Sequence, residues 1–347
     1  MLNNCFTNTS KVMQIQYFIG VDISKKTLDF ALVVAAQQRF HLQVENSVAG
    51  INQALKALKA QCKVQLSQAL FCVEHTGLYQ NTLLACLSQK QASIWLESPL
   101  HIKASSGLQR GKTDKVDANR IALYAYKNQD KIKIWQQPRQ QVQELRALAA
   151  LRNRLLEAKK QLQVPLKEQK GLLAKSLVRQ LQNNSQASLQ ALAKDIAQVE
   201  AAIQQILAQD EQLKRYYDLL ISVQGIGPVT ATQVIISTNE FQDFTQAKAF
   251  ACHAGVVPFA YQSGSSVRGK TKLSPKADKK LKRLLHLAAM TAIRVKGELQ
   301  DYYQRKVEQG KHKMSVLNAV RNKLVLRMFA VVHKNKKYEK NYALALA

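Results

Sequence analysis

The order of predicted elements between Tyr17 and Asp130 constrains the fold more than any other feature of the chain. Three short apolar strands come first, and helices and strands then alternate. The strands are predicted at Phe18–Ile23, Thr27–Ala35, Phe40–Val44, Leu70–Glu74 and Ser93–Leu96, and the helices at Ile51–Leu58, Leu78–Gln89 and Val116–Tyr126. Three consecutive strands followed by such an alternation are typical of an α/β ribonuclease H-like fold.

From Gln140 onward the strand pattern disappears. Apolar residues at alternating spacings of three and four predict two long coiled-coil helices, with Asp210 interrupting the apolar seam. Pro165 and the polar run Gln182–Ser185 are predicted to break them. An antiparallel hairpin, an intermolecular zipper and amphipathic helices packed on a neighbouring domain all fit this pattern.

The section from about Leu219 to Asn335 is predicted to be α-helical with one glycine-rich interruption. The predicted division is a ribonuclease H-like α/β domain at 14–132, a coiled-coil helical region at 138–217 and a mainly α-helical C-terminal domain at 218–335.

The charge of the chain points to nucleic acid as its partner. Fifty-one Lys and Arg against 23 Asp and Glu give a formal net charge of +28, which attracts polyanions such as double-stranded DNA. Between Gln262 and Lys296 ten basic residues face one acid, Asp278. No apolar run is long enough for a membrane span, and the start lacks a signal-peptide pattern, so a cytoplasmic, nucleoid-associated protein without a membrane partner is expected. Five cysteines without a CxxC spacing indicate neither a disulfide framework nor a zinc site.

Two carboxylates stand where apolar residues are expected. Asp22 interrupts the strand FIGVDIS, and Glu74 ends the apolar run Leu70–Val73. Asp114 and Asp117 lie three residues apart at the start of a predicted helix and therefore share one face. Each has a structural alternative in ion pairing or helix capping. A ribonuclease H-like sheet, however, would gather all four into one cluster.

Four clustered carboxylates repel one another, and divalent cations neutralise them most simply. Oxygen ligands select Mg²⁺ or Mn²⁺, and two such ions about 4 Å apart can hold the attacking and leaving oxygens of phosphoryl transfer. The sequence therefore predicts that Asp22, Glu74, Asp114 and Asp117 are metal ligands and catalytic residues.

A second motif lies in the C-terminal section. The stretch LISVQGIGPVTATQVI has the helix-hairpin-helix pattern, with a turn at Gly225–Gly227 and a second helix from Pro228. Gly225 and Gly227 would let backbone N–H groups approach a phosphate, and the following helix adds its partial positive charge. A purely structural turn is the alternative.

The order of the four acids, with the motifs GVDISK and KTDKVDA and the C-terminal signatures, resembles the DEDD transposases of insertion-sequence family one-hundred-ten. These are relatives of the Piv invertase whose N-terminal domain is similar to the RuvC resolvase. The resemblance extends from about Tyr17 to about His333. It implies a DNA transposase or site-specific recombinase.

The resemblance also implies a catalytic serine. Family members place it in a Ser-Gly motif after a GxxP segment, here Gly255–Pro258, and Ser263 matches that position. From the residues alone, Ser263 is one of three loop serines, and Tyr261 is an alternative nucleophile or a packing residue. Attack of the serine on a DNA phosphodiester would give a covalent serine–DNA intermediate. Basic residues are predicted to hold the backbone: Arg268, Lys270, Lys272, Lys279 and Lys280.

Two partners follow from the same resemblance. Family members are guided by a structured non-coding RNA, the bridge RNA, that pairs with target and donor DNA. The acids and Ser263 are far apart in the sequence, so a homo-oligomer, dimer or tetramer, with composite sites is expected on element ends and target DNA. A RuvC-like two-metal endonuclease and a non-catalytic DNA-binding protein are the alternative functions. His75, His253 and His286 are interpreted as structural.

Overall fold

The structure is a computed structural model that describes residues 15–105, 113–263, 267–273 and 277–339. The described residues form two compact units, divided between Gln137 and Pro138. Within these ranges no helix is both long and apolar enough to cross a membrane.

The first unit is built on a five-stranded mixed sheet in the order β3-β2-β1-β4-β5. Strands β1, β4 and β5 are parallel, whereas β2 and β3 are antiparallel to their neighbours. The strands are β1 Tyr17–Ile23, β2 Thr27–Val34, β3 Gln37–Glu45, β4 Ala69–Glu74 and β5 Ser93–Glu97. A meander of three strands followed by two parallel crossovers is the ribonuclease H-like topology, so the predicted fold class is confirmed.

Helices cover both faces of this sheet. They are α1 Val48–Cys62, α2 Asn81–Gln89, α3 Pro99–Ser105 and α4 Asp114–Lys127. Alternate residues of β1 enter different cores: Ile19 and Val21 join that of α1 and α2, and Phe18 joins that of α4. The helix predicted at Leu78–Gln89 is a 3₁₀ turn followed by α2, and α3 was not predicted because seven residues carry too little periodicity.

The second unit begins with two long helices, α5 Gln140–Glu168 and α6 Lys175–Gln209. They form an antiparallel hairpin, in which Arg152 of α5 pairs with Glu200 of α6 at 2.6 Å. Of the three predicted arrangements, the hairpin is therefore present within the chain. The base of the hairpin, including Leu145 and Ile203, shares one core with the helices that follow.

Both predicted helix breaks were wrong. Pro165 lies inside α5, which ends one turn later at Glu168, so its missing N–H disturbs the final turn alone. The polar run Gln182–Ser185 lies inside α6, where the Ser185 hydroxyl donates to the Leu181 carbonyl at 2.8 Å. This back-bonding satisfies the polar side chain without ending the helix.

The remaining helices are α7 Glu211–Ile221, α8 Pro228–Thr238, α9 Ala247–His253, α10 Lys279–Ala292, α11 Glu298–Glu308 and α12 Lys313–Lys334. The glycine-rich interruption, predicted as a loop, is instead an antiparallel hairpin of β6 Pro258–Ser263 and β7 Val267–Leu273. Gly, Ser and Lys are poor strand formers, and the pairing of two backbones outweighs this weak local preference.

Arg139 connects three parts of the second unit. Its guanidinium donates to both oxygens of Glu240, with Nε–Oε2 at 2.8 Å, and to both oxygens of Asp210, with Nη1–Oδ2 at 2.8 Å. The Glu240 side chain is fully buried. Asp210, which interrupts the predicted apolar seam, thus ends α6, pairs with Arg139 and caps α7 by accepting from Leu213 N at 2.9 Å.

We expect Arg139→Ala to lower the free energy of unfolding by about 3 kcal/mol, because it leaves the buried Glu240 carboxylate without its cation. Chemical denaturation monitored by circular dichroism measures the change. Arg152→Ala is the matched control and should cost less than about 1 kcal/mol, since its partner Glu200 is half-exposed. Equal losses for the two variants would contradict the assignment.

Candidate active site

Asp22 lies near the end of β1, on the sheet face that α4 covers, and its side chain is partly buried. Gly20, two residues earlier, faces the same helix. A Cβ built on Gly20 would lie 2.2 Å from the Ala118 carbonyl oxygen and 2.3 Å from Ala122 N. The absence of a side chain at Gly20 therefore lets the α4 backbone lie directly on β1.

This contact fixes where α4 begins. Phe18, at the start of β1, meets Tyr126 near the end of α4 with ring centroids 5.5 Å apart, so the two elements run antiparallel. The first turn of α4 therefore lies at the Asp22 end of the strand. Thr113 caps the helix by accepting from Val116 N at 3.3 Å, and Asp114 and Asp117 both stand in that first turn.

Glu74 is the last residue of β4, the parallel neighbour of β1. Val73 pairs with Val21 in register. Glu74 on β4 and Asp22 on β1 therefore occupy equivalent positions, each one residue after the paired valine. Carboxyl ends of adjacent parallel strands meet at one edge of a sheet, where sites commonly form.

The pKa of Asp22 depends on all three other acids. The pKa of Asp22 is raised from 3.8 to about 6, first by burial and then by the negative charges of Asp117, Glu74 and Asp114, in that order of effect. The structure therefore brings the four predicted carboxylates into one electrostatic neighbourhood. Asp117 also accepts from Arg120 at 2.6 Å, which compensates part of this charge.

The donor chemistry fits a hard divalent cation, because carboxylate oxygens are the ligands that Mg²⁺ and Mn²⁺ prefer. The raised pKa of Asp22 indicates negative charge that the surrounding protein does not fully compensate. In the part of the chain that the structure describes, no three acidic, His or Cys side chains are already gathered as a finished metal site. Closer approach of the carboxylates would accompany binding.

Sequence reasoning missed two acids on the same sheet face. Asp29 on β2 lies opposite Asp22 in register and is almost fully buried, accepting from His41 Nε2 at 2.8 Å and from Gln43 Nε2 at 2.9 Å. It interrupts an apolar strand as Asp22 does, so the same argument could have found it. Its two partners mark it as a compensated structural acid.

Glu97, which lies opposite Glu74 in register, is the second missed acid. It accepts from Ser98 N at 2.6 Å, His101 Nδ1 at 2.9 Å and Tyr124 OH at 3.1 Å. Three donors hold this carboxylate in place beside the candidate site. Its position at a strand end was the available sequence signal.

The two glycines of the predicted helix-hairpin-helix have different surroundings. Gly225 has φ +91° and a Cβ there would lie 2.6 Å from the Ala288 carbonyl oxygen, so packing on α10 by itself requires a glycine. Gly227 precedes α8 with open space around it. Gly227 thus offers its backbone to a phosphate more readily than Gly225 does.

Lys279 and Lys280 begin α10. Lys279 is exposed, whereas burial lowers the pKa of Lys280, with Asp278 raising it and Arg283 and Arg152 lowering it. Lys280 also lines a cavity of about 350 Å³ together with Pro228 at the start of α8. A basic side chain is therefore next to the helix start that the motif would direct at a phosphate.

Ser263 is the final residue of β6, where its backbone pairs with Val267. Arg268 pairs with Gln262 and Lys272 with Phe259, and Lys270 lies between them on β7. Ser263 is thus the last described residue of β6, and residues 264–266, which include Gly264 and the other two loop serines, lie outside the described residues.

Two profiles of known protein families match different parts of the chain. A family profile for the DEDD transposases of IS110, described as Transposase, matches residues 19–169. A second, described as Transposase IS116/IS110/IS902 family, matches residues 217–304.

Individual relatives extend the match along the chain. The pilin gene-inverting proteins of Moraxella bovis and Moraxella lacunata are each 26% identical over 327 residues, which are 93% of this chain and 98% of each relative. An uncharacterized 42 kDa protein of insertion element IS900 from Mycobacterium paratuberculosis is 30% identical over 126 residues, or 34% of this chain and 31% of that protein. Among solved structures, Thermus thermophilus RuvC with a Holliday junction substrate matches 35% of this chain and 99% of its own, with 12% identity and a TM-score of 0.27.

A ribonuclease H-like sheet with acids at the ends of β1 and β4 and at the start of α4 defines a DEDD-type domain. With the second profile matching residues 217–304 of the helical unit, the chain belongs to the IS110 family of DEDD transposases. The resemblance expected from its motifs is confirmed, and with it the class of DNA transposase or recombinase.

Removing the Asp22 charge should stabilise the protein while it holds no metal. Because the pKa of Asp22 is raised in the folded state, ionisation above that pKa destabilises folding, and the shift corresponds to at most about 3 kcal/mol. Solvent screening of a partly exposed group reduces this to about 1–2 kcal/mol. We expect Asp22→Asn to raise the free energy of unfolding by that amount at pH 7 in EDTA, measured by urea denaturation.

Asp29→Asn is the matched control one strand away. It removes a buried carboxylate that accepts two hydrogen bonds, so it should destabilise the protein by about 1–3 kcal/mol. Changes of the same sign in both variants would show that Asp22 is an ordinary structural acid.

Proposed function

We propose that the protein is a transposase that cuts and rejoins DNA through a covalent bond to Ser263, assisted by divalent metal at the four carboxylates and guided by a structured RNA. The observation that carries the proposal is the convergence of Glu74, Asp114 and Asp117 on the partly buried Asp22. Asp29 and Glu97, by comparison, each accept hydrogen bonds from at least two other side chains or backbone groups.

Asp22, Glu74, Asp114 and Asp117 are the residues that would hold Mg²⁺ or Mn²⁺. When bound, the metal would neutralise negative charge that develops on the scissile phosphate. Arg120, which pairs with Asp117, would keep that carboxylate oriented.

Strand cleavage would conserve the phosphodiester bond energy. The Ser263 Oγ attacks phosphorus as its proton leaves, the bond from phosphorus to a deoxyribose oxygen breaks, and that oxygen takes up a proton. A deoxyribose hydroxyl of another strand then reverses the step and releases the serine. No oxidant, reductant or nucleotide is needed, and the same chemistry serves transposition and DNA inversion.

The basic residues supply affinity for the backbone. Arg268, Lys270 and Lys272 follow Ser263 on the hairpin, while Gly225, Gly227, Lys279 and Lys280 surround the start of α8 and of α10. Such contacts position a duplex without reading its sequence. A bridge RNA paired with the element ends and the target would supply sequence choice, in the cytoplasm on nucleoid DNA.

The first test looks for the covalent intermediate. Protein, element ends, the flanking non-coding RNA and Mg²⁺ are combined, denatured and separated to detect protein attached to DNA. We expect an adduct with the wild type and none with Ser263→Ala or Asp22→Ala. Ser265→Ala is the matched control from the same Ser-Gly segment and should form the adduct.

Cleaved DNA without an adduct would contradict cleavage through a covalent bond to Ser263. If cutting survives Ser263→Ala but not Asp22→Ala, the protein is a RuvC-like nuclease that activates water. If neither variant changes the DNA products, the chain is a DNA-binding protein.

A further prediction concerns assembly into a dimer or tetramer. The acids and Ser263 belong to different parts of the chain, and we propose that partner subunits complete each active site. A mixture of Asp22→Ala and Ser263→Ala proteins should therefore recover strand exchange that neither shows alone. Tagged pull-down verifies that mixed oligomers form. If they form and the mixture still recovers no strand exchange, the acids and Ser263 of each active site belong to one subunit.

A further inference from the structure

We propose that His286, oriented by Arg321, is a binding site for a phosphodiester group of a nucleic-acid backbone. Neither residue belongs to the four carboxylates or to the residues named above for DNA contact, although His286 shares α10 with Lys279 and Lys280. It rests on the proposed function only in requiring nucleic acid as the partner. Sequence reasoning had interpreted His286 as structural.

Arg321 is a buried cation without a counter-ion. It lies on α12 with 5% of its surface exposed, and within the described ranges it forms no salt bridge. Its Nε atom is buried with no hydrogen-bond partner. A buried, unpaired charge is costly unless an anion compensates it in the functional state.

The contact between the two side chains fixes the state of the histidine. Arg321 Nη2 lies 2.6 Å from His286 Nδ1. A guanidinium can only donate, so Nδ1 must accept, and the ring proton must be on Nε2. Burial and the charge of Arg321 both lower the pKa of His286, which keeps the imidazole neutral.

The Nε2–H group of His286 is available to a ligand. Among the described residues it has no hydrogen-bond partner, and it is not one of the buried unpaired polar atoms, so it reaches solvent. The imidazole therefore presents one donor at the surface, in a fixed tautomer and polarised by the cation behind it. Such a donor suits an anionic oxygen.

The surroundings favour a phosphate over a protein carboxylate. Lys282 and Arg283 precede His286 by one turn of α10 and share its face. Asp278, the acid nearest to them along the chain, is engaged as the helix cap, accepting from Lys280 N and Leu281 N. In a chain of net charge +28, this arrangement attracts nucleic acid.

The pair is also tied to the base of the strand hairpin. Arg321 Nη1 lies 3.4 Å from the Asn318 side-chain oxygen. The Asn318 amide donates to the Val256 carbonyl at 2.8 Å, two residues before β6. A phosphate held at His286 would therefore be next to the segment that leads to Ser263.

Two substitutions separate a ligand role from a structural one. In His286→Asn the side-chain oxygen can replace Nδ1 as the acceptor for Arg321, but the outward donor is lost. In His286→Gln the longer amide can place an N–H near the Nε2 position. We expect His286→Asn to bind nucleic acid about tenfold more weakly than the wild type, and His286→Gln to retain most of the affinity.

Binding is measured by fluorescence anisotropy in EDTA with full-length protein. The probes are a random-sequence DNA duplex and an RNA hairpin with the same number of phosphates. The probe for which His286→Asn loses affinity shows whether DNA or RNA supplies the phosphodiester. Thr291→Ala, an exposed change on α10, is the control and should bind like the wild type. Because His286 is neutral, the slope of affinity against salt should not change.

Wild-type affinity for both probes in His286→Asn, at unchanged melting temperature, would overturn the inference. If that variant fails to fold, diethyl pyrocarbonate labelling of the wild type decides instead. Bound DNA or RNA should protect His286 from modification, as read by peptide mass spectrometry, and labelling unchanged by either probe would overturn the inference. Because these assays need no cleavage, their outcome is separate from that of the adduct test.

Discussion

The close approach of α4 to β1 at Gly20 is the constraint on which the candidate site depends. With any side chain at that position, the helix would have to move away from the strand, because a Cβ would overlap the α4 backbone. Direct contact between helix and strand places the first turn of α4, with two acids, at the end of β1 where Asp22 lies. The geometry of the candidate site is therefore set by packing in the fold, and the carboxylates occupy positions that packing dictates.

This arrangement has a cost in the metal-free protein. Asp22 lies partly buried among like charges, and the raised pKa expresses the free energy lost when it ionises there. The neighbouring Asp29 lies one strand away and has two donors. Asp22 therefore carries an electrostatic cost that its neighbour avoids. A site organised for a cation would show this difference, because the cation supplies the missing compensation.

The sequence predicted most of the first unit and much less of the second. Strand alternation and the anomalous acids Asp22 and Glu74 carry their own signal, since an apolar strand makes a charge conspicuous. The hairpin of β6 and β7 could not be predicted, because its residues have little strand preference and their pairing is a non-local effect. Ser263 has no local chemical signal at all, so its role could be inferred only from the family resemblance.

Polar residues in the long helices misled sequence reasoning for a related reason. Gln182–Ser185 has the composition of a turn, but a helix tolerates such residues where their side chains bond to the preceding turn. Conversely, Asn239, Glu240 and Phe241 adopt successive left-handed conformations, with φ of 47°, 57° and 64°, although none of them is glycine. The pairing of Glu240 with Arg139 helps hold this segment, and a partner about a hundred residues away cannot be read from local pattern.

The presence of a partner of opposite charge distinguishes the buried groups that the fold explains from the two that we propose to bind ligands. Glu240, Glu97 and Asp29 each have at least two hydrogen-bonded atoms that compensate them, and each is explained by the fold alone. Asp22 accepts a backbone hydrogen bond from Ile23, and Arg321 donates to the neutral His286 and Asn318 side chains, but within the described chain neither has a partner of opposite charge. A divalent cation at the first and a phosphodiester oxygen near the second are the ligands that we propose for them, and each proposal is tested separately.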